Sequence, residues 1–580
     1  MRAMDAFFED LAAILSRHLA LDREQAAIWI EKPRRPELGD YAFPCFRLAK
    51  TLKQPPVAIA SRLADELGPV IEETGSFEPP RAIGPYLNFT MKPERLAAYV
   101  VQATLEGTHG YGALPSRDET VVIDFSSPNI ARPLSIGHLR STVIGNCLEQ
   151  LFHHVGYRVV SINYLGDWGT QFGKLLTAYH RWFEGGLEQI TVPVLFQLYV
   201  RYHQEVEEHP ELEDEARAAF KVLEAGDEES LKLWRLFREV SLKGMAPLYE
   251  LLGVQFKDIS GESFYNLAAE QMIDRLIQNN LAEESDGALI IRTGEKNLGP
   301  FQLRKSDGST LYSTRDLAAL TDRVEKYDPV KILYVVGSEQ RDHFRKLFNV
   351  ARQFGVPESV ELRHVPFGLY RLGKLKISTR AGRVLFMEDV LVKAVELARG
   401  LIEEKNPSLK TKDRVAHAVG VGAIIFADLV NDREKNIDFD WEAILNFDGE
   451  TGPYIQYAHA RTCGVLKKGG QRLEIDEQGS ASSFDPAATG LLTSEEEQAL
   501  LRALHAFPES IVNAVSNCRP SCIAQNLITV ARMFSRFYHN CPVIQASGEQ
   551  RAARLMLTRA VKNVLQGGLK LLGIEAPTSM

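Results

Sequence analysis

The sequence has no long apolar run and few cysteines, and each shortage argues against a class of protein. No apolar stretch approaches the ~18 residues of a membrane span, and the N-terminus lacks the charged-then-apolar pattern of a signal peptide. The six cysteines are scattered; only Cys518 and Cys522 are close, and no second pair completes a zinc site. We therefore expect a reduced, cytoplasmic protein without a protein-ligated metal.

The chain also lacks the positive charge of a general nucleic-acid binder. Its net charge is −9, from 67 Lys and Arg against 76 Asp and Glu. An RNA partner would have to be bound by local basic surfaces and by shape rather than by a global field. Apolar and charged fractions of 45% and 25% are ordinary for a globular protein, and 580 residues predict about two to four domains.

The strongest local pattern is a strand, a polar turn and a helix start in close succession. Val121–Phe125 predicts a buried strand, Ser126–Asn129 breaks it, and helical spacing begins at Leu139. This order favours a phosphate site, because free N–H groups and the positive end of the helix dipole face an anion. His138 and Arg140 would add side-chain donors. Many α/β turns of this kind bind nothing, so the residues alone leave both interpretations open.

The residues in this turn resemble a known signature. Pro128-Asn129-Ile130-Ala131-Arg132-Pro133 and Gly137-His138-Leu139-Arg140-Ser141-Thr142 are similar to the HIGH region of arginyl-tRNA synthetases, class I enzymes that bind ATP there. The resemblance recurs from Gly39-Asp40-Tyr41 to the C-terminal methionine and covers nearly the whole chain. It implies an α/β, Rossmann-like class I catalytic domain, with an N-terminal α+β domain and a C-terminal all-helical anticodon-binding domain.

Pattern and resemblance together predict the domain boundaries. Residues 1–115 would be a tRNA-contacting domain, residues 116–410 the catalytic domain, and residues 411–580 the anticodon-binding domain. The catalytic domain contains a mostly amphipathic helical stretch over residues 187–257, to which we assign no role. From about Arg414 the pattern is helical, with no convincing strand.

The resemblance makes the turn a catalytic ATP site. Gly137 and His138 would bind ATP, and His138 would also take part in catalysis. Ser135 stands where the signature has its first histidine; its hydroxyl can donate one hydrogen bond to phosphate but carries no charge. Ser135 therefore keeps open the alternative of a catalytically weak relative that only binds tRNA.

A second catalytic segment resembles the KMSK loop in a degenerate form. Lys374 and Lys376 lie in this basic segment and would bind ATP, although a Lys/Arg cluster is also typical of a solvated surface loop. Thr379 replaces the second lysine of the motif. Arg132 stands where the family often has a lysine that compensates for this loss, and we predict that it supplies the missing charge near the phosphates.

An arginine pocket is also predicted. Tyr312 and Asp316 are four residues apart and could line one side of a pocket, and a guanidinium needs a carboxylate and flat hydrogen-bonding partners. Asp316 also completes a capping-box pattern with Ser313 and could instead satisfy a backbone N–H. In the family the matching residues hold the arginine side chain, with Gln340 helping, and Asn129 holds the amino-acid end.

Two neighbouring features receive no firm role. His343 could face the ATP base or cap the next helix, and the sequence does not separate these interpretations. Gly261-Glu262-Ser263 resembles the GES turn of the family, to which we assign no chemistry.

The resemblance predicts tRNA contacts at Asn88, Tyr454, Tyr457, Arg461, Tyr538 and Met580. Three of them, Tyr454, Tyr457 and Arg461, lie at i, i+3 and i+7 on one helix face, and a Tyr/Arg face can stack on unpaired bases. The same spacing is also typical of an aromatic core stripe. Asn88 could instead be a turn residue that bonds its own backbone.

The whole sequence therefore predicts an arginine–tRNA ligase. Arginine and ATP, accompanied by Mg²⁺, would give arginyl-adenylate, and tRNA(Arg) would then accept the arginyl group; we expect a monomer. One rival is the tRNA-binding relative without activity. Another is an enzyme that adenylates a small molecule on this fold without RNA, against which the N-terminal extension and the helical C-terminal third count.

Overall fold

The structure, a computed structural model, describes residues 5–107, 110–295, 298–305, 311–372, 375–376, 385–446, 449–471 and 486–580. Three parts follow one another along the chain. Among the residues so described, no helix is both long and apolar enough to cross a membrane.

The N-terminal part is a small α+β unit. Its elements are α1 (Ala6–Leu19), α2 (Arg23–Trp29), β1 (Tyr41–Pro44), α3 (Ala49–Leu52), α4 (Pro56–Thr74), β2 (Arg81–Ile83), β3 (Tyr86–Phe89) and α5 (Pro93–Glu106). The strands form an antiparallel sheet in the order β1-β3-β2, which shares one apolar core with α1, α4 and α5. Gly84 adopts φ +57°, a conformation that favours glycine, and turns the chain between β2 and β3.

The middle part is built on a parallel sheet. Its elements are β4 (Thr120–Asp124), α6 (Ile136–His154), β5 (Arg158–Leu165), α7 (Thr170–Trp182), α8 (Val192–Glu208), α9 (Leu212–Glu224), α10 (Glu228–Leu251), β6 (Asp258–Gly261), α11 (Asn266–Gln278), β7 (Glu283–Ser285), β8 (Ala288–Ile291), β9 (Phe301–Arg304), α12 (Tyr312–Tyr327), β10 (Pro329–Gly337), α13 (Arg341–Gln353), β11 (Glu361–Phe367), β12 (Tyr370–Leu372), β13 (Leu375–Lys376) and α14 (Met387–Lys405). The main sheet has the order β11-β10-β4-β5-β6, with every pair parallel.

Both faces of this sheet are covered. Helix α6 packs in the core on one face, and α11, α12 and α13 pack in the core on the other. Strand β4 is therefore buried along its whole length, as its apolar sequence predicts. The chain runs from β4 to β5 and β6 on one side and to β10 and β11 on the other, so the strand order reverses between β4 and β10. Ligands of such sheets bind beyond the carboxyl ends of the strands at this switch point.

The insertion over residues 187–257 consists of α8, α9 and α10, and its helical character is as predicted. It packs against α7 and reaches the loop after β4, where the backbone N–H of Ala131 donates to Ser241 Oγ at 2.8 Å. The insertion thus supports the turn from outside the sheet.

The C-terminal part is mainly helical. Its elements are α15 (Lys412–Leu429), β14 (Ile437–Asp438), α16 (Trp441–Ile444), α17 (Gly452–Lys468), α18 (Pro486–Thr489), α19 (Glu495–His505), α20 (Phe507–Asn517), α21 (Ser521–Asn540) and α22 (Gly548–Leu571). The expectation of no strand after Arg414 is wrong at β14, which pairs in parallel with β12. A two-residue strand has no readable alternation, and its reason to form is the free edge of the β12–β13 hairpin.

Candidate active site

A cavity of about 520 Å³ opens at the switch point of the parallel sheet. Its walls come from the segments that follow β4, β5, β6 and β10, and from the first turns of α6, α12 and α13. The lining residues that the argument uses are Asn129, Gly137, His138, Glu262, Tyr312, Asp316, Gln340 and His343. The structure therefore brings the predicted ATP turn and the predicted arginine pocket into one cavity.

The loop after β4 is held in an unusual backbone conformation. Ser126, Ser127 and Ala131 have φ values of +69°, +45° and +63°, which residues other than glycine rarely adopt. Ser126 N–H donates to Ser141 Oγ at 2.9 Å, and Ser127 N–H donates to Asn163 Oδ1 at 3.2 Å. Side chains from α6 and β5 thus fix the turn that the sequence indicated only as a strand break.

His138 faces the cavity as a neutral donor. The backbone N–H of Ser135 donates to His138 Nδ1 at 3.0 Å, so the ring proton lies on Nε2. Burial, together with the nearby positive charge of Arg132 and against the hydrogen bond at Ser135, lowers the pKa of His138 to about 4, although the side chain is partly exposed to the cavity. At neutral pH the ring can therefore donate one hydrogen bond to a phosphate without carrying charge.

Ser135 contacts His138 and does not line the cavity. It is the N-cap residue of α6, it is buried, and its Oγ lies 3.1 Å from His138 Nδ1. Ser135 is absent from the cavity lining, so the predicted hydrogen bond from its hydroxyl to a phosphate does not match its placement. The residue that replaces the first histidine instead orients the second.

Arg132 lies beside the turn but does not line the cavity. Its guanidinium stacks 3.9 Å from the ring centroid of Tyr199 in α8, and Nη2 donates weakly to Gln171 Oε1 at 3.4 Å. Its charge is a minor contribution, after burial, to the lowered pKa of His138. A role at the phosphates therefore stays a prediction.

The predicted lysines of the KMSK-like segment are only partly placed. Lys376 pairs with Arg371 across the β12–β13 hairpin, but its side chain is outside the described residues, as are Lys374 and Thr379. The hairpin follows β11, whose last residue, Phe367, lines the cavity.

The predicted arginine pocket contains a close contact between Asp316 and His343. Asp316 Oδ2 lies 2.8 Å from His343 Nε2, and the Tyr312 ring centroid lies 5.2 Å from that of His343. Helix α12 begins at Tyr312 with Leu311 as N-cap and no side-chain cap, so Asp316 does not cap it and the capping-box alternative is wrong. Ser313 Oγ instead donates to the carbonyl of Gln302 at 2.7 Å.

The same contact settles the position of His343. Helix α13 begins at Arg341 with Gln340 as its N-cap residue and without a side-chain cap, so His343 does not cap it. His343 instead contacts the carboxylate of Asp316, and its contact with the ATP base stays a prediction. The sequence did not indicate this pairing because the two residues lie on different helices.

Asn129 and Gln340 both line the cavity, and both are exposed. Asn129 Oδ1 accepts a long hydrogen bond from Gln171 Nε2 at 3.4 Å. A Cβ atom on Gly166 would lie 2.0 Å from that Oδ1, so only glycine at position 166 leaves Asn129 its place. Gly166, in the glycine-rich segment after β5, thus leaves the space that Asn129 occupies in the site.

Glu262 is a site residue that the sequence interpretation left without a role. It follows β6, lines the cavity, and its Oε2 lies 3.3 Å from Arg315 Nη2. Burial raises the pKa of Glu262 to about 7; the Arg315 guanidinium opposes the shift, and the charges of Asp316 and Asp167 add to it. A carboxylate at the carboxyl end of a parallel strand is the signal that could have identified it.

The raised pKa of Glu262 predicts a pH dependence of arginine binding. A bound guanidinium favours the ionised carboxylate, so the arginine KM should fall as pH rises from about 6 to about 8. Without ligand the sign is opposite for stability: the folded state holds more protons than the unfolded state between pH 4.5 and about 7, so this group lowers the free energy of unfolding as pH rises through that window.

The control for this prediction is Glu262→Gln, which keeps the shape of the side chain and cannot titrate. Its arginine KM should be higher than that of the wild type at pH 8 and nearly flat across the range. Parallel KM–pH curves for both proteins would exclude Glu262 as the titrating group.

Comparisons with known proteins agree along the whole chain. Three family models match: "Arginyl tRNA synthetase N terminal domain" over residues 5–91, "tRNA synthetases class I (R), catalytic domain" over 100–441, and "DALR anticodon binding domain" over 455–580. The "Arginine--tRNA ligase 2" of Bacillus anthracis is 44% identical over 576 residues, 99% of each protein. This chain belongs to the arginyl-tRNA synthetase family.

Other comparisons extend this agreement within the arginyl-tRNA synthetase family. The "Arginine--tRNA ligase" of Clostridioides difficile is 43% identical over 562 residues, 97% of each protein. The solved structure of the Thermus thermophilus arginyl-tRNA synthetase has a TM-score of 0.80 and 25% identity, with all of both chains covered. The predicted fold class is thereby confirmed, from the N-terminal domain to the helical C-terminal domain.

A second candidate site of this arginyl-tRNA synthetase lies on α17 and α21. The Arg461 guanidinium lies 4.7 Å from the ring centroid of Tyr457 and 5.1 Å from that of Tyr538. The two rings are 41% and 39% exposed, so they are not a core stripe, whereas Tyr454 on the same face is half-buried. Two open aromatic faces around one cation suit stacking on unpaired bases.

Removing either exposed ring tests this surface. Tyr457→Ala and Tyr538→Ala should each weaken tRNA binding by about 1–3 kcal/mol, because each removes one stacking platform. The melting temperature should change little, since both rings are well exposed. Filter binding with tRNA(Arg) measures the effect, and a folded variant with unaltered affinity would remove that ring from the proposed surface.

The remaining predicted tRNA contacts are less accessible. Asn88 is 5% exposed in the central strand of the N-terminal sheet, and its Nδ2 donates to the carbonyls of Arg81 and Tyr86, both at 3.4 Å. Asn88 therefore bonds the main chain, as the alternative predicted, but it does so from a strand and not from a turn. Met580 packs against the apolar cluster of α14 and α15, and its main-chain oxygen accepts from Asn406 Nδ2 at 3.0 Å.

Proposed function

We propose that this protein is an arginine–tRNA ligase, which activates arginine with ATP and transfers it to the 3′ end of tRNA(Arg). The main support for the proposal is one cavity that contains both an anion-binding helix N-terminus and a pair of carboxylates. The N-terminus of α6 and neutral His138 form one end, and the carboxylates of Asp316 and Glu262 form the other. A cation with a carboxylate of its own, such as arginine, can bridge these ends.

The guanidinium would bind at the acidic end. Asp316, oriented by His343, supplies one carboxylate, and Glu262 supplies a second once the ligand draws it into its ionised form. Tyr312 and Gln340 would close the sides of the pocket. Asn129, which also lines the cavity, would hold the α-amino end of the amino acid.

The phosphates of ATP would bind at the other end. The first turn of α6 offers free backbone N–H groups, Gly137 leaves room beside them, and His138 Nε2–H adds a neutral donor. We assign positive charge there to Arg132, Lys374 and Lys376. Mg²⁺ would enter with ATP, held by phosphate oxygens and by the waters that this ion usually keeps.

The reaction then needs position more than protein chemistry. The arginine carboxylate attacks the α-phosphorus, a new O–P bond forms, and the bond to pyrophosphate breaks. The 3′-terminal hydroxyl of tRNA next attacks the carbonyl carbon of the adenylate and releases AMP. No protein nucleophile takes part, so the rate depends on alignment and on stabilisation of phosphate charge.

The finer assignments belong to the same proposal. We keep domain boundaries at residues 1–115, 116–410 and 411–580, a monomer, and a cytoplasmic location. The alternative of a tRNA-binding relative without activity depended on Ser135, and that residue supports His138 through two contacts rather than leaving the turn empty. We therefore expect an active enzyme.

Pyrophosphate exchange into ATP tests the first step. Exchange should require arginine, ATP and tRNA(Arg) together, because members of this family typically activate arginine only with tRNA bound. Lysine should not replace arginine, because its ammonium is a compact point charge without the planar fork of donors by which a guanidinium makes two parallel hydrogen bonds to one carboxylate. Exchange that proceeds equally with lysine, or none under any condition, would contradict the proposal.

A further inference from the structure

A buried cluster joins the ATP turn to two distant parts of the chain. Arg140 lies in α6, two residues after His138, and is 1% exposed. Its Nε lies 3.0 Å from Asp428 Oδ2, at the end of α15, and Tyr370 OH donates to the same oxygen at 2.7 Å. We call Arg140, Tyr370 and Asp428 the Arg140 junction.

The junction also holds the base of the hairpin that leads into the KMSK-like segment. Arg140 Nη1 donates to the carbonyls of Gly368 and Lys435, both at 2.8 Å. Gly368 directly precedes Leu369 and β12, and Lys435 directly precedes Asn436 and β14, which pairs with β12. One guanidinium nitrogen therefore holds the main chain just before each of the two parallel strands, β12 and β14.

The third connection runs to the exposed aromatic surface of α17. Asp428 ends α15, and α15 and α17 approach so closely that a Cβ on Gly452 would lie 2.9 Å from the carbonyl oxygen of Gly422. Gln456 Nε2 of α17 donates to the carbonyl of Ala418 in α15 at 2.9 Å. Gln456 is next to Tyr457, so a shift of the aromatic surface would move α15 with it.

We propose that the Arg140 junction positions α6 for the activation step, and that tRNA bound on α17 acts on the ATP turn through it. The inference rests on the proposed ligase function and deepens it. Arg140, Tyr370 and Asp428 are positioning residues, since none of them lines the cavity.

Burial makes the junction suitable for this task. Arg140 and Asp428 are each 1% exposed, so neither charge can be compensated by water when the other moves. A displacement of α15 must therefore carry α6 and the start of β12 with it, or separate a buried ion pair. Such an element transmits position rather than merely adding stability.

The test separates positioning from simple stability. Tyr370→Phe removes only the hydroxyl on Asp428, and Asp428→Asn removes the charge while keeping the shape. The matched control is Glu497→Gln, which breaks a buried pair with Arg554 at 2.8 Å between α19 and α22 and leaves the three residues of the Arg140 junction unchanged. Four quantities are measured for the wild type and the three variants: pyrophosphate exchange at saturating tRNA(Arg), tRNA affinity, arginine KM and melting temperature.

We expect exchange at saturating tRNA to fall at least about tenfold in Tyr370→Phe and further in Asp428→Asn, within the range of typical coupling between sites. The tRNA Kd and arginine KM should stay within about twofold, and Glu497→Gln should keep its exchange rate. If Asp428→Asn does not fold, Tyr370→Phe alone tests the inference.

Two outcomes would overturn the inference. Full exchange in a folded Tyr370→Phe would remove the junction from the activation step, and an equal loss in Glu497→Gln would reduce it to general stability. Absence of exchange in the wild type would instead contradict the proposed function, and this inference with it.

Discussion

Replacing Asp316 with asparagine is expected to raise the arginine KM by about 30-fold to several thousand-fold, which corresponds to roughly 2–5 kcal/mol for a truncated buried charge pair. Asparagine keeps the size and can still hydrogen-bond His343, but it offers no charge to the guanidinium. Asp316 does not cap α12, and its side chain is partly exposed in the cavity, so the free energy of unfolding should change little.

Citrulline provides the matched ligand for this variant, because a neutral urea replaces the guanidinium at nearly the same shape. Wild-type protein should bind arginine far more tightly than citrulline, and Asp316→Asn should lose most of this preference. An arginine KM within twofold of the wild-type value would remove Asp316 from the pocket, leaving Glu262 as the carboxylate to test.

The second large effect is expected at Arg132. Arg132→Gln should lower the rate of arginine activation by about 10²–10³, comparable to the loss of one preorganised transition-state donor. The reason is the missing second lysine of the KMSK-like segment, where Thr379 leaves the departing pyrophosphate with less positive charge. Arginine KM and tRNA affinity should change little, since Arg132 touches neither predicted binding surface.

Arg132→Lys is the control, because it keeps the charge and loses the planar stack on Tyr199. It should recover much of the rate if charge is what the phosphates need. Pyrophosphate exchange with tRNA present measures both variants. Near-normal exchange in Arg132→Gln would end the compensation idea and make Arg380 the next residue to test.

The sequence predicted those parts of the molecule that local pattern or family resemblance encodes. The apolar run at Val121–Phe125 overlaps β4, and the helix whose spacing was predicted from Leu139 is α6, which begins at Ile136. Tyr312 and Asp316 do share one cavity. Each of these follows from residues that are neighbours in the chain.

What the sequence could not indicate depends on contacts between distant elements. The bond from His343 to Asp316, the stack of Arg132 on Tyr199 and the raised pKa of Glu262 all arise where separate helices and strands meet. Asn88 is a residue whose burial the sequence did not indicate, for the same reason. Its motif position suggested a surface contact, but the middle strand of a sheet buries it.

The central claim is that this chain joins arginine to tRNA, and charging of tRNA(Arg) with labelled arginine tests it most directly. We predict acid-precipitable arginyl-tRNA that forms only with ATP, Mg²⁺ and tRNA(Arg) all present, and that excess unlabelled arginine, but not citrulline or lysine, competes away. A purified, folded protein that binds tRNA(Arg) yet forms no arginyl-tRNA would contradict the account.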